Sequence, residues 1–211
     1  MRRLPVYLVL DCSGSMSGEP IQQVKNGVQM LVSALRQDPQ ALETAFLSVI
    51  TFDSSAHEAV PLTDLPSFQA PNIAATGTTA MGEALSLVAD CAKRDVKKAS
   101  PTQKADWRPM VFLMTDGSPT DDFQKGLARF KQEKWGAVVA CGVDSADVSL
   151  LQQIAGEAVV TLSTADAKAL EAFFKWVTAS ISTSSKSVQT GKEVEGLNQL
   201  PPPPPEIQVV V

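Results

Sequence analysis

Residues 11–15 read Asp11-Cys12-Ser13-Gly14-Ser15 and follow directly on the apolar run 4–10. An Asp-x-Ser-x-Ser turn at the end of a strand offers one carboxylate and two hydroxyls within five residues. All three are hard oxygen donors. They suit Mg²⁺ or Mn²⁺, with Ca²⁺ as a further candidate, and do not suit zinc or copper. The pentapeptide therefore points to binding through a metal ion rather than to catalysis by a side chain. Two more segments carry the same chemistry. Gly77-Thr78-Thr79 opens a helical pattern and offers another hydroxyl beside the N–H groups of a helix start. Thr115-Asp116-Gly117 closes a later apolar run and supplies a second carboxylate. An ion held mostly by neutral hydroxyls keeps much of its charge and attracts a carboxylate from outside.

These segments can meet only if the elements between them bring strand ends to one rim. Apolar runs at 4–10, 45–52, 109–114, 137–143 and 159–162 read as buried strands. Helical patterns alternate with them. Ile21, Val24, Val28, Leu31 and Leu35 repeat at helical spacing in a segment that ends before Pro39. Further helices are expected at 81–96, 122–133, 150–155 and 165–182. The segment 56–61 follows 45–52 across the turn Asp53-Ser54-Ser55 and predicts a hairpin. The fold class expected is an open, doubly wound, Rossmann-like α/β sheet. It is mostly parallel, has one short antiparallel edge strand, and carries helices on both faces. Ligands bind such sheets at the carboxyl ends of strands, where all the polar segments fall.

Composition narrows the function further. The 211 residues are 44% hydrophobic and 19% charged, enough for one sizeable core. Net charge is −5, which argues against nucleic acid as a general partner. Cys12, Cys91 and Cys141 are odd in number and far apart, which favours a reducing compartment over a disulfide framework. Cys12 either faces solvent or packs beneath the motif. The apolar run after Arg2 and Arg3 is too short for a signal peptide, and no stretch has the length of a membrane span. The expected location is cytoplasmic. Lys93-Arg94-Asp95-Val96-Lys97-Lys98 reads as a solvated helix end. Trp107, in a polar loop, is the tryptophan with the best claim to an interface.

The three motifs in this order resemble the metal-ion-dependent adhesion site of a von Willebrand factor A domain, over residues 4–182. The resemblance implies direct ligation by Ser13 and Ser15 and a third hydroxyl from Thr79, directly or through water. Thr79 is preferred to Thr78 because its spacing to Ala84-Leu85 matches the family's Gly-Thr-x-x-Gly-x-Ala-Leu form. Asp11 and Asp116 would hold metal-bound waters or ligate directly. The opening residues 1–8, the extended Asp-x-Ser-Gly-Ser-Met motif and Phe52-Asp53-Ser54-Ser55-Ala56 are also similar to the TerY-type group of bacterial tellurite-resistance and stress operons. That similarity implies a Ser/Thr protein kinase and a metal-dependent protein phosphatase as partners in signalling. The cysteine-rich zinc-binding tail of some relatives is absent, since no cysteine follows Cys141.

Other readings remain in view. Singly, Ser13, Ser15 and Thr79 are residue types that cap turns and helices. A Mg²⁺-dependent phosphohydrolase would use Asp11 as nucleophile, but position 13 is Ser where that chemistry needs a second carboxylate. A serine hydrolase needs a base, and the only histidine, His57, lies in the expected hairpin. No phosphate-binding or dinucleotide glycine loop is present. The expectation is a non-enzymatic module that takes an acidic residue from a protein partner. Residues 183–211 form a Ser/Pro-rich tail that includes five consecutive prolines, a stiff polyproline II segment. The tail is either disordered or ends in a strand, 207–211, that seeks an edge. A third reading is a scaffold that recruits partners through this tail.

Overall fold

A computed structural model describes residues 2–144 and 146–210. Strands β1 (Leu4–Asp11), β2 (Ala45–Phe52), β4 (Met110–Thr115), β5 (Val138–Val143) and β6 (Val159–Leu162) are mutually parallel, and β3 (Ala56–Asp64) and β7 (Gln208–Val209) flank them antiparallel. The seven-stranded order is β3-β2-β1-β4-β5-β6-β7. The chain is thus the expected mostly parallel α/β sheet, with two antiparallel edges rather than one short one. The β3 strand runs nine residues, to Asp64, because alternate residues along it are half-buried against the sheet while the others face solvent. The last strand comes from the tail.

Side-chain alternation along β1 builds two cores. Leu4, Val6, Leu8 and Leu10 face one side, with α1 (Glu19–Leu35), α2 (Pro39–Thr44) and α6 (Ala167–Gln189). Tyr7 and Val9 face the other, with α3 (Met81–Asp95), α4 (Phe123–Phe130) and α5 (Val148–Ala155). The short α2 was not legible from periodicity. It forms because Pro39 sits at its first turn and the Asp38 carboxylate accepts from Gln40 N and Ala41 N. The α6 helix continues seven residues beyond the expected end at 182. Its serines at 180, 184 and 185 are fully buried, so packing overrides their modest helix propensity. Among the described residues no helix is long and apolar enough to cross a membrane.

Trp107 does not offer an interface. It is 6% exposed, its N–H donates to Arg3 O at 2.9 Å, and the Arg2 guanidinium lies 3.4 Å from its ring centroid. Arg2, from the start of the chain, covers the ring. Beside it Asp106 is held by Arg3 at 2.6 Å and by Lys97 N at 2.8 Å, which ties the start of β1 to the loop before β4. Lys93 and Arg94 close α3, as expected, and Arg94 pairs with Glu58 and Asp95.

The tail is packed on the domain. Val194, Leu200 and Ile207 are buried in the first core, Trp176 Nε1 donates to Pro201 O at 2.8 Å, and Val209 pairs with Val160. Helices α1 and α6 meet at Gly27, where an added Cβ would lie 2.1 Å from the Phe174 ring. Gly27→Ala is therefore expected to force the two helices apart and to lower stability by about 1–3 kcal/mol. Urea denaturation of the variant beside the parent checks this.

Candidate metal centre

Register brings the site together. Leu10 pairs with Met114, so Asp11 and Thr115 end adjacent strands side by side. Asp11 is 1% exposed and its carboxylate is fully engaged. Oδ1 accepts from Ser13 N at 2.8 Å, and Oδ2 accepts a short hydrogen bond from Thr115 Oγ1. Ser13 Oγ and Ser15 Oγ share a hydrogen bond of 3.0 Å, and Ser15 Oγ donates to Asp116 Oδ1 at 2.8 Å. A continuous path of polar contacts therefore runs from Asp11 through both serines to Asp116. Burial raises the Asp11 pKa; hydrogen bonds from Ser13 and Thr115 oppose the shift, and the nearby Asp116 charge adds to it. A buried carboxylate with a second one close by is the electrostatic setting that a cation relieves.

Thr79 comes from the facing loop. The chain turns at Gly77, at φ +69, where a side chain would also collide with Ser54 Oγ at 2.3 Å. Gly14 N donates to Gly77 O at 3.1 Å and Thr76 N to Cys12 O at 2.8 Å, joining the two loops. The two threonines then diverge. Thr78 is exposed and bonds through N and Oγ1 to Ser54 Oγ. Thr79 is buried, and its Oγ1 would lie 3.3 Å from a Cβ at Gly117, the residue after Asp116. Its Oγ1 has no hydrogen-bond partner among the described residues. The orphaned hydroxyl favours Thr79 over Thr78 as the donor.

The donor set fits a hard cation. Neighbouring ligands of an octahedral Mg²⁺, each about 2.1 Å from the ion, lie about 3.0 Å apart. The Ser13–Ser15 and Ser15–Asp116 separations, 3.0 and 2.8 Å, match that spacing. These oxygens can thus exchange hydrogen bonding for ligation with little movement. No cluster of three or more His, Cys, Asp or Glu with metal-binding geometry occurs among the described residues.

Several positioning residues were not singled out from sequence. Thr115 fixes the Asp11 carboxylate and also accepts from Gly117 N at 3.2 Å. Thr120 Oγ1 accepts from Thr79 N, and Thr120 N donates to Thr79 O. The Asp121 carboxylate caps a helix other than its own, accepting from Gly82 N at 2.9 Å and Glu83 N at 2.7 Å. The acidic pair Asp121-Asp122 was a legible sign of a cap, but only for α4, which Asp122 indeed caps. His57 sits exposed on β3, bonded to Ser55 Oγ. Cys12 packs beneath the loop, and burial with the Asp11 charge pushes its thiol up to about 12.

An open α/β sheet with hydroxyls and two carboxylates converging at its carboxyl rim defines a domain of the von Willebrand factor A class. The family model for the von Willebrand factor type A domain matches residues 6–176, and the chain belongs to that family. It is 35% identical over 124 residues to an uncharacterized protein of Synechocystis sp., a match that covers 55% of this chain and 26% of that protein. The von Willebrand factor type A structure from Catenulispora acidiphila superposes with a TM-score of 0.67 at 19% identity, over 86% of this chain and 43% of that one. Proximal thread matrix protein 1 of the mussel byssus, solved with a zinc-occupied MIDAS motif, gives 0.58 at 23% identity, over 84% and 46%. The chain thus spans about a quarter of the Synechocystis relative and less than half of each of these two structures.

Two predictions follow from the geometry. Thr115→Val keeps the side-chain shape but leaves Asp11 Oδ2 without its donor in a buried setting. Stability should fall by about 1–3 kcal/mol, measured by urea denaturation. The thiols give a second check: burial pushes Cys91 up to about 12 and raises Cys141 as well. At pH 8 a thiol with a pKa near 12 is ionised at about one part in ten thousand. A thiol reagent should leave the native protein unlabelled and label all three cysteines in denaturant.

Proposed function

We propose that the chain is a cytoplasmic, non-enzymatic interaction module that binds Mg²⁺ at this rim and captures an acidic side chain of a protein partner. The observation that carries the reading is the run of three oxygens Ser13 Oγ, Ser15 Oγ and Asp116 Oδ1 at octahedral spacing, beside the Asp11 carboxylate that Ser13 N holds in place. Ser13, Ser15 and Thr79 would hold the ion by neutral hydroxyls, with Asp11 and Asp116 behind them. An ion so held keeps the electrophilicity that draws in a partner carboxylate. Mn²⁺ has similar ligand demands. Ca²⁺ would need a wider shell, with ligands at about 2.3–2.6 Å. Zinc occupies the corresponding motif in the byssal protein and is the competitor to test.

The absence of catalysis is supported at Asp11 itself. Both carboxylate oxygens are engaged and the group is buried, which is a poor setting for a nucleophile. The exposed His57 bonds to Ser55 Oγ rather than to either motif serine. The similarity of the opening segment and hairpin turn to the TerY-type group suggests tellurite-resistance or stress signalling in bacteria. A Ser/Thr kinase and a metal-dependent protein phosphatase are the partner classes to try first.

Calorimetric titration of the metal-stripped protein should show one Mg²⁺ site. Ser13→Ala or Asp116→Ala should weaken it about tenfold or more, equivalent to about 1.4 kcal/mol. Zinc displacing Mg²⁺ at equimolar concentration would replace magnesium in the proposal. Partner capture should disappear in EDTA and in Asp11→Ala while the circular dichroism of that variant stays native. Capture that survives EDTA, or turnover of an aryl phosphate lost in Asp11→Asn, would overturn the reading.

A further inference from the structure

The five prolines at 201–205 lie outside the region matched by the family model and play no part in the metal centre. They are clamped at both ends. Leu200 before them and Ile207 after them are buried in the core, and Gln208 and Val209 pair with β6. Lys168 Nζ reaches Glu206 Oε1 at 3.1 Å. Along the run, Pro201, Pro202 and Pro204 line a cleft of about 430 Å³ against Ala172, Trp176 and Ala179 of α6. Two of the carbonyls are satisfied inward, Pro201 O by Trp176 Nε1 at 2.8 Å and Pro204 O by Ile207 N at 2.9 Å.

Pro202 and Pro205 are exposed, three residues apart. Three residues make one turn of a polyproline II helix, so an i, i+3 pair lies on one face. The carbonyls of Pro202, Pro203 and Pro205 accept no hydrogen bond among the described residues. A proline cannot donate, so each outward carbonyl remains available to a donor from elsewhere.

We infer that this run is a second interaction surface: a proline ridge presented to an aromatic-lined groove on a partner protein. Such grooves take the rings of a Pro-x-x-Pro face and donate from Trp or Tyr to its carbonyls. Trp176 already treats the opposite face of the run in this way within the chain. The ridge is about 15 Å long at about 3.1 Å per residue. Its ends are fixed by the core, so little chain ordering remains when a partner docks. The inference is independent of the metal centre.

The test titrates the full chain against a panel of isolated WW and SH3 domains, which carry aromatic proline-binding grooves. At least one domain should bind, with the affinity unchanged in EDTA and in Asp11→Ala. The double variant Pro202→Ala/Pro205→Ala should bind that domain about tenfold or more weakly, with an unchanged thermal midpoint as the folding control. If that variant unfolds, competition replaces it: a free peptide of residues 199–207 should displace the full chain. No binding by any domain, equal binding by the folded double variant, failure of the peptide to compete, or loss of binding in EDTA would each overturn the inference.

Discussion

The burial of one carboxylate organises this molecule. Asp11 ends β1, an interior strand of the parallel sheet, inside the protein surface, where an isolated charge is costly. Two donors make it tolerable, and they come from different scales of structure. Ser13 N is local, supplied by the turn that the Asp-x-Ser-x-Ser sequence forms. Thr115 Oγ1 comes from 104 residues away and is available only because β4 lies beside β1 in the observed register. A one-residue slip of that pairing would turn Thr115 to the other face of the sheet and leave Asp11 with half its partners. The same register delivers Asp116 to Ser15. Strand pairing and site geometry are therefore one constraint, and the gathering of oxygen donors at the rim follows from it.

The third hydroxyl is positioned by helix packing instead. Helices α3 and α4 meet with almost no side chain between them. An added Cβ at Gly126 would fall 2.0 Å from Gly82 O, and one at Gly82 would fall 2.5 Å from Asp122 O. This approach lets the Asp121 carboxylate reach the first turn of α3 and satisfy two of its orphan N–H groups. It also lets Thr120 clamp both backbone groups of Thr79. The loop that carries Asp116 is thereby tied to the loop that carries Thr79. The two glycines act on the site from a distance, since either one bearing a larger residue would loosen the contact that sets it.

These two mechanisms explain what sequence could and could not disclose. The strand-end motifs were legible because strand, turn and donor atoms are contiguous, and hard oxygen donors have few other reasons to cluster. The choice of Thr79 over Thr78 came from family spacing, and the diverging side chains give it a physical basis. The trans cap by Asp121 was illegible because a carboxylate before a helix reads as that helix's own cap. Trp107 misled for a related reason: a tryptophan among polar residues reads as exposed until Arg2 is found lying flat on it. The last seven residues of α6 were hidden by serines, whose weak propensity gives no sign that Ser184 and Ser185 will be buried. The pairing of the tail turned on two residues, Gln208 and Val209, too few for any periodic signal.

The sheet edges bear on how such a domain meets its partners. The outer strand β3 carries Pro61 and the charged Glu58 and Asp64, and its pairing with β2 is broken by irregular register. Proline and charge are features that discourage strand addition. The other edge strand, β7, is only two residues long and is anchored by buried Ile207, and so short an edge offers little backbone to pair with. Edge pairing, which needs a run of free backbone groups, is thus obstructed on both sides. The groups offered there are chemically distinct: hydroxyl and carboxylate oxygens at the carboxyl rim and proline rings with free carbonyls along the tail. Neither shares a residue with the other, since the rim draws on residues 11–116 and the ridge on residues 201–205. On the two proposals above, such a domain would hold one partner through a metal-bound carboxylate and another through a proline ridge, without either competing for the sheet.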